Sequence, residues 1–277
     1  YKAIVALGLR FGNSPHAVLL LLSFIAVLTY IVSVIKLSVK PAVSFFFFIT
    51  YGYFLFHLNG ARQGLAFGFY LLAIVAVLRG RLLTYVGWVL VGALFHTSAL
   101  LTLPLYFVFR VGYSLFNMCI MFAVAAVFYF SADILFSIAG LVNERYVTYG
   151  DRTETGGALL ALFYFVHAAF FILWRGWIQD RDLGDYDRLL MIMMFGTMIH
   201  LVVFVTNSYV EMNRLALYFT AASVFLWPMV FRSSVTATSK NIVIFAGFAS
   251  GLLFFYFFLS KIGGYAPYRM YFYIFNV

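Results

Sequence analysis

The run LLTYVGWVLVGALFHTSALLTLPLYFVF, residues 82–109, decides how this chain is threaded. One membrane crossing takes roughly 20 mostly apolar residues. The run is too long for a single helix, and it carries His96-Thr97-Ser98-Ala99 at its middle with Pro104 beyond. It reads as two shorter helices bent at His96. Taken as one crossing, it would invert everything downstream and move the loop that holds Arg175, Arg181 and Arg188 to the other side of the bilayer.

Composition makes the bilayer the solvent. The chain is 65% hydrophobic and 10% charged, with a mean hydropathy of +1.01, against about 25% charged residues in soluble domains. The alternating ten-residue segments of a transmembrane barrel are absent. The expectation is therefore an all-α, polytopic transmembrane helical bundle with about nine to ten membrane segments. Spans are expected at 17–35, 42–58, 61–78, the bent or re-entrant pair at 82–109, then 113–130, 158–174, 189–206, 210–231 and 241–260. Residues 131–157 read as an amphipathic interfacial segment and loop. No repeat period divides the chain, so residues 1–277 are expected to form one integral membrane domain. The single cysteine, Cys119, excludes an internal disulfide and a cysteine-cluster metal site. The sequence starts at Tyr1 without a signal-peptide pattern. An upstream portion is expected to be missing.

Lys and Arg in short loops set orientation. With 82–109 bent, Lys36, Lys40, Arg79, Arg81, Arg110, Arg175, Arg181, Arg188, Arg232 and Lys240 share one side, expected to be cytoplasmic. The other side receives Lys2, Arg10, Arg62, Arg145, Arg152, Arg214, Lys261 and Arg269. These outer arginines are the unusual ones, because a guanidinium near mid-bilayer costs roughly 2.5–3.5 kcal/mol on insertion scales. Its planar fork also matches phosphate oxygens. Arginines from separate outer segments are thus candidates to converge on one anion, and snorkelling at helix ends is the plain alternative.

Arg62 lies in HLNGARQGLAFGF, residues 57–69. Gly60, Gly64 and Gly68 recur every four residues, a ridge that admits a neighbouring helix. At 100° per residue Arg62 points about 200° away from Gly60, so it faces away from that seam. Asn59 and Gln63 stand four apart, as a local hydrogen-bonding pair.

The segment 59–107 closely resembles the EpsG family of bacterial membrane proteins, which are similar to Wzy-type polysaccharide polymerases. An N-G-x-R-Q helix start, a basic turn, F-H-x-S-A-L and L-P-x-Y carry the likeness, here Asn59, Gly60, Arg62, Gln63, Phe95, His96, Ser98, Ala99, Leu100, Leu103, Pro104 and Tyr106. Arg145-Tyr146, Gly156-Gly157 and Asn213-Arg214 fit more loosely.

The resemblance implies a GT-C-like fold in the bacterial inner membrane, with an active site at the extracytoplasmic face. Undecaprenyl-diphosphate-linked oligosaccharides would be joined there, the growing glycan passing from its lipid diphosphate to a sugar hydroxyl of the next unit. No cofactor or metal is implied. Besides the bilayer and the lipid-linked substrates, a chain-length regulator is an expected partner, and nucleic acid is not. The departing diphosphate calls for fixed cations, for which Arg62 and Arg214 come first, then Arg145, Arg152 and Arg269. The attacking hydroxyl calls for a base, with His96, Glu211 and Asp151 as candidates and Asn59, Gln63 and Ser98 in support. Each has a plainer reading. His96 can cap the bend, Glu211 can pair locally with Arg214, and Asp151 and Arg152 can be solvated. The phenylalanine-rich stretches at 45–48 and 253–258 are candidates for a lipid-tail groove or for lipid-facing surface. A different chemistry is suggested by DRDLGDYD, residues 180–187, where D-x-D occurs twice as in metal-dependent transferases, although interleaved arginines favour a solvated charged turn. The alternatives are a related membrane glycosyltransferase or glycan ligase, and a lipid-linked oligosaccharide flippase. Transporters commonly show paired broken spans, and only the His96 bend reads as broken.

Overall fold

A computed structural model describes residues 2–12, 15–124, 126–127, 130, 157–206, 212–233 and 235–262. Among these residues every regular element is helical. Lys2–Gly12 (α1) and Pro15–Leu37 (α2) form a hairpin. Pro41–Thr50 (α3) and the single turn Phe56–Asn59 (α4) lead into Ala61–Leu78 (α5). Leu82–Ala93 (α6), a 3-10 helix at Thr97–Leu105 and Tyr106–Val111 (α7) follow, then Leu115–Val124 (α8). The second half holds Ala158–Trp174 (α9), Asp180–Thr206 (α10), Met212–Thr220 (α11), Ser223–Phe231 (α12) and Ala237–Phe257 (α13). Six stretches are long and apolar enough to cross a bilayer, and four shorter apolar helices accompany them. This is a polytopic helical membrane protein.

Burial orders the bundle. Met212–Phe231 is 83% buried and stands at the centre, whereas Ala237–Ser260 is 17% buried and lies at the periphery. Glycines set the closest approaches. A Cβ on Gly68 would fall 2.1 Å from Thr29 Oγ1, and one on Gly64 would fall 2.5 Å from the His57 Cα. These two residues form the expected seam, which α2 and α4 occupy. Gly60 takes no part in it. It separates α4 from α5 with φ −146°, so Asn59 and Gln63 belong to different helices and not, as expected, to one.

The run 82–109 is a hairpin. α6 is 12 residues long, about 18 Å at 1.5 Å per residue, well short of a hydrocarbon core of about 30 Å. Its two ends meet. Arg110 donates to the carbonyls of Val77 and Leu78 at 3.4 and 3.2 Å, and Arg188 donates to Leu78 O at 3.4 Å and to Arg110 O at 3.2 Å. Gly80, at φ +68°, lets the Arg110 guanidinium lie against the turn, where a Cβ would approach its Nη2 to 2.8 Å. Arg175 chelates Asp187 through bonds of 2.6 and 2.8 Å, and Arg232 pairs with the buried Asp182. Arg79, Arg81, Arg110, Arg175, Arg188 and Arg232 thus belong to one end of the bundle, as the bent reading requires. His96, at the tip, belongs to the other.

Several expectations change. Residues 180–187 are the first two turns of α10, not a charged turn outside it, and the helix N-terminus favours Asp180 and Asp182 there. The span expected at 42–58 is broken. Gly52, at φ +79° and packed against the Phe258 ring, turns the chain out of helix. Phe54 N–H then bonds Phe48 O, and His57 bonds Phe54 O. The His96 bend is therefore not the only break. Irregular backbone at this depth is tolerated when it is enclosed in protein, and Tyr51 and Tyr53 are each 1% exposed. Phe47 and Phe48 are fully buried against Trp227 and Phe67, so they line no lipid groove. Phe254 packs inward on Phe163, while Leu253 and Tyr256 are exposed.

In a Cys119→Ser background, cysteines placed at Arg81 and Ser114 should react with an impermeant thiol reagent from the same face of membrane vesicles. Labelling from opposite faces would mean that 82–109 crosses.

Candidate active site

Three segments bring functional groups together at the end opposite the arginine cluster. Arg62 is in the first turn of α5, 16 residues before Leu78, hence about 24 Å along the axis from the basic end. His96 follows α6 at a similar height, and Arg214 opens α11, which continues into α12 toward Arg232. Convergence is visible in the electrostatics. His96 lies in the connection between two short helices, outside the six long spans, and its pKa is held below the ordinary histidine range by burial first, then by the charges of Arg62 and Arg214. Both arginines are exposed and His96 is half-buried, so two cations from separate helices act on one ring near the surface, or rim, of this end of the bundle. The His96 side chain makes no capping bond to the 3-10 helix, and the bend is closed by backbone bonds from His96 N to Gly92 O and from Ala99 N to His96 O. The capping role is not realised.

What docks these segments is largely aromatic. Tyr218, one turn beyond Arg214, donates its hydroxyl to Gln63 O at 3.3 Å and sets its ring edge-on to Phe67. That contact joins the first turn of α5 to the second turn of α11. Ser98 Oγ is buried facing the Tyr218 hydroxyl, without a hydrogen bond of good geometry. On the His96 side, Phe95 stacks on Phe69, and Gly92 would place a Cβ 3.2 Å from Ala66 O. Gln63 contributes its backbone carbonyl here, where the sequence suggested its amide.

Beneath the rim lies a buried polar layer the sequence reading missed. His200 on α10 is fully buried and bonds through Nδ1 to Asn213 Oδ1 at 2.8 Å. Its ring stacks flat on Tyr164, at 5.0 Å and 3°. Tyr164 and Tyr53 hydroxyls meet at 2.8 Å, Tyr53 donates to Thr220 at 3.0 Å, and Thr220 donates to Ala216 O. The signal for His200 was present, since it is the lone ionisable residue in MIMMFGTMIHLVVFVT, residues 191–206, and ionisable groups at membrane depth are costly.

The remaining candidates, Arg145, Asp151, Arg152, Glu211 and Arg269, lie outside the described residues, as does most of the interfacial segment 131–157. Nothing of the Asn59 side chain is described. Three of the four D-x-D carboxylates face arginines, with Asp182 on Arg232, Asp187 on Arg175 and Asp185 on Arg188. Among the described residues no group of three or more His, Cys, Asp or Glu side chains is placed to hold a metal ion.

The model of the EpsG family matches residues 1–270. No curated protein and no solved structure matches the chain.

Proposed function

We propose, from the premise that the chain belongs to the EpsG family of Wzy-like polysaccharide polymerases, that it joins undecaprenyl-diphosphate-linked oligosaccharides at the rim formed by Arg62, His96 and Arg214. The observation that carries this reading is that two exposed arginines, from helices far apart in sequence, begin those helices at the end of the bundle where the half-buried His96 stands, and their charges both act on its ring. The basic end faces the cytoplasm of a bacterium by the positive-inside rule. The rim then opens on the outer face of the inner membrane.

The chemistry follows from these groups. A sugar hydroxyl of the incoming unit attacks the anomeric carbon of the growing glycan. Its proton goes to His96 as the new C–O bond forms. The bond from anomeric carbon to phosphate oxygen breaks, and the lipid diphosphate departs with the electron pair. Arg62 and Arg214 face the charge that develops on that diphosphate, where fixed donors stabilise the transition state more than the ground state. A histidine must be deprotonated to act as a base, and burial first, then the two cations that attract the diphosphate, lower the His96 pKa. One arrangement serves both demands. Glu211 and Asp151 stay alternative bases, and Arg145, Arg152 and Arg269 further diphosphate ligands.

The decisive experiment supplies purified lipid-linked repeat units to the protein in detergent and sizes the products. Long polymer supports this reading, a single transfer to a different acceptor supports a ligase, and movement of intact units across a bilayer without new bonds supports a flippase. Arg62→Ala and Arg214→Ala should each lower the polymerisation rate by about 10²–10³-fold, the loss typical of one fixed donor, with short lipid-linked units accumulating. Unchanged polymer length in both would remove these arginines from the site.

Because His96 acts deprotonated and its pKa is depressed, rate should be retained below the ordinary histidine pKa and fall only at more acid pH. Keeping the cation in Arg62→Lys would leave that acid limb in place, whereas removing it in Arg62→Gln should shift it to higher pH. An acid limb at the same pH in Arg62→Gln would count against His96. With three of the four D-x-D carboxylates engaged by arginines, synthesis should persist in chelator, and a strict requirement for Mg²⁺ or Mn²⁺ would return the metal-dependent reading.

A further inference from the structure

The buried His200 has no part in the reaction as drawn, yet it is bonded to Asn213, the residue next to Arg214. We infer that His200 is a positioning residue for Arg214, acting through Asn213. The inference rests on the reading of Arg214 as a diphosphate ligand. Three contacts fix α11, and only the third lies in its first turn. Tyr218 ties it to α5 through Gln63 O. Gly196 brings α10 so close that a Cβ would stand 2.7 Å from Thr220 N and 2.8 Å from Ala216 O. The third contact is the 2.8 Å bond between His200 Nδ1 and Asn213 Oδ1, which anchors the residue immediately before Arg214.

That third contact is made at one ring nitrogen only. Nε2 is buried without a partner, and this holds whichever way the Asn213 amide is turned. The ring plane is set by its stack on Tyr164, whose hydroxyl is engaged by Tyr53. His200 therefore spends its hydrogen-bonding capacity on Asn213 alone. A helix whose first turn starts at Met212 and bears an exposed arginine two residues on depends on such an anchor to keep its guanidinium beside His96.

Replacement by asparagine and by glutamine separates the two ring nitrogens, since an asparagine amide lies near the Nδ1 position and a glutamine amide near Nε2. In a Cys119→Ser background, Arg62→Cys and Arg214→Cys are joined with a flexible bifunctional thiol reagent, and the cross-linking rate is read in folded, detergent-purified protein. Cross-linking should be fast with His200 present, fall several-fold in His200→Ala, and recover in His200→Asn but not in His200→Gln. Unchanged cross-linking in His200→Ala overturns the positioning role, and recovery with glutamine alone overturns the Nδ1 assignment. Polymer formation, measured separately with the native arginines, should follow the same order and be lost no further when His200→Ala is added to Arg214→Ala, as coupled residues behave. If cross-linking follows the expected pattern while polymer formation ignores His200, the diphosphate role of Arg214 is what fails.

Discussion

The carbonyl of Leu78, at the C-terminal end of α5, receives guanidinium groups from two other segments, Arg110 and Arg188. A helix end concentrates partial negative charge and unpaired carbonyls, and in a membrane protein those groups must find donors within the protein or at the interface. Because the donors come from the far end of the 82–109 run and from α10, satisfying them also closes the hairpin and locks α10 beside it. The position of His96 is a consequence. With both feet of the hairpin tied at one end, its tip can only stand at the other, where α5 and α11 begin.

The centre of the bundle solves a related problem with phenols and indoles. Breaking a helix at Gly52 frees backbone groups and turns Tyr51 and Tyr53 inward. Tyr51 accepts from Trp227 Nε1 at 2.8 Å and donates to His167 Nε2 at 3.1 Å, since His167 Nδ1 is committed to Phe163 O. Tyr53, Tyr164 and Thr220 form a second chain. A buried polar network is useful only when its members are satisfied, and these two are. They join the break after α3 to α9 and α12, and to α9 and α11, by directional bonds within an apolar core that dispersion alone would pack less specifically.

Much of this was legible from the residues. Charge bias distinguished a bent 82–109 from a crossing one, because loop arginines report the threading independently of hydropathy. The Gly64 and Gly68 spacing foretold the seam, and span ends singled out Arg62 and Arg214. What was hidden depended on burial and on breaks. Four consecutive phenylalanines look alike in sequence, and only the turn at Gly52 determines that Phe47 and Phe48 face the core. The Asp-rich stretch 180–187 looked like a turn because its helix is amphipathic only against arginines brought from residues 175 and 232. Tyr218 and His200 escaped notice because their partners, Gln63 O and Asn213, lie on other helices.

The arginine knot also dictates an order of assembly. A chain made from its N-terminus presents α5 and then the hairpin long before Arg188 leaves the ribosome, 78 residues after Arg110. Until then the returning limb is held by Arg110 and by the Tyr85 hydroxyl, which donates to Thr102 O at 2.6 Å, without the second guanidinium. Maturation of the hairpin is thus a late event, completed when α10 enters the bilayer and its first turns clasp a loop laid down well before.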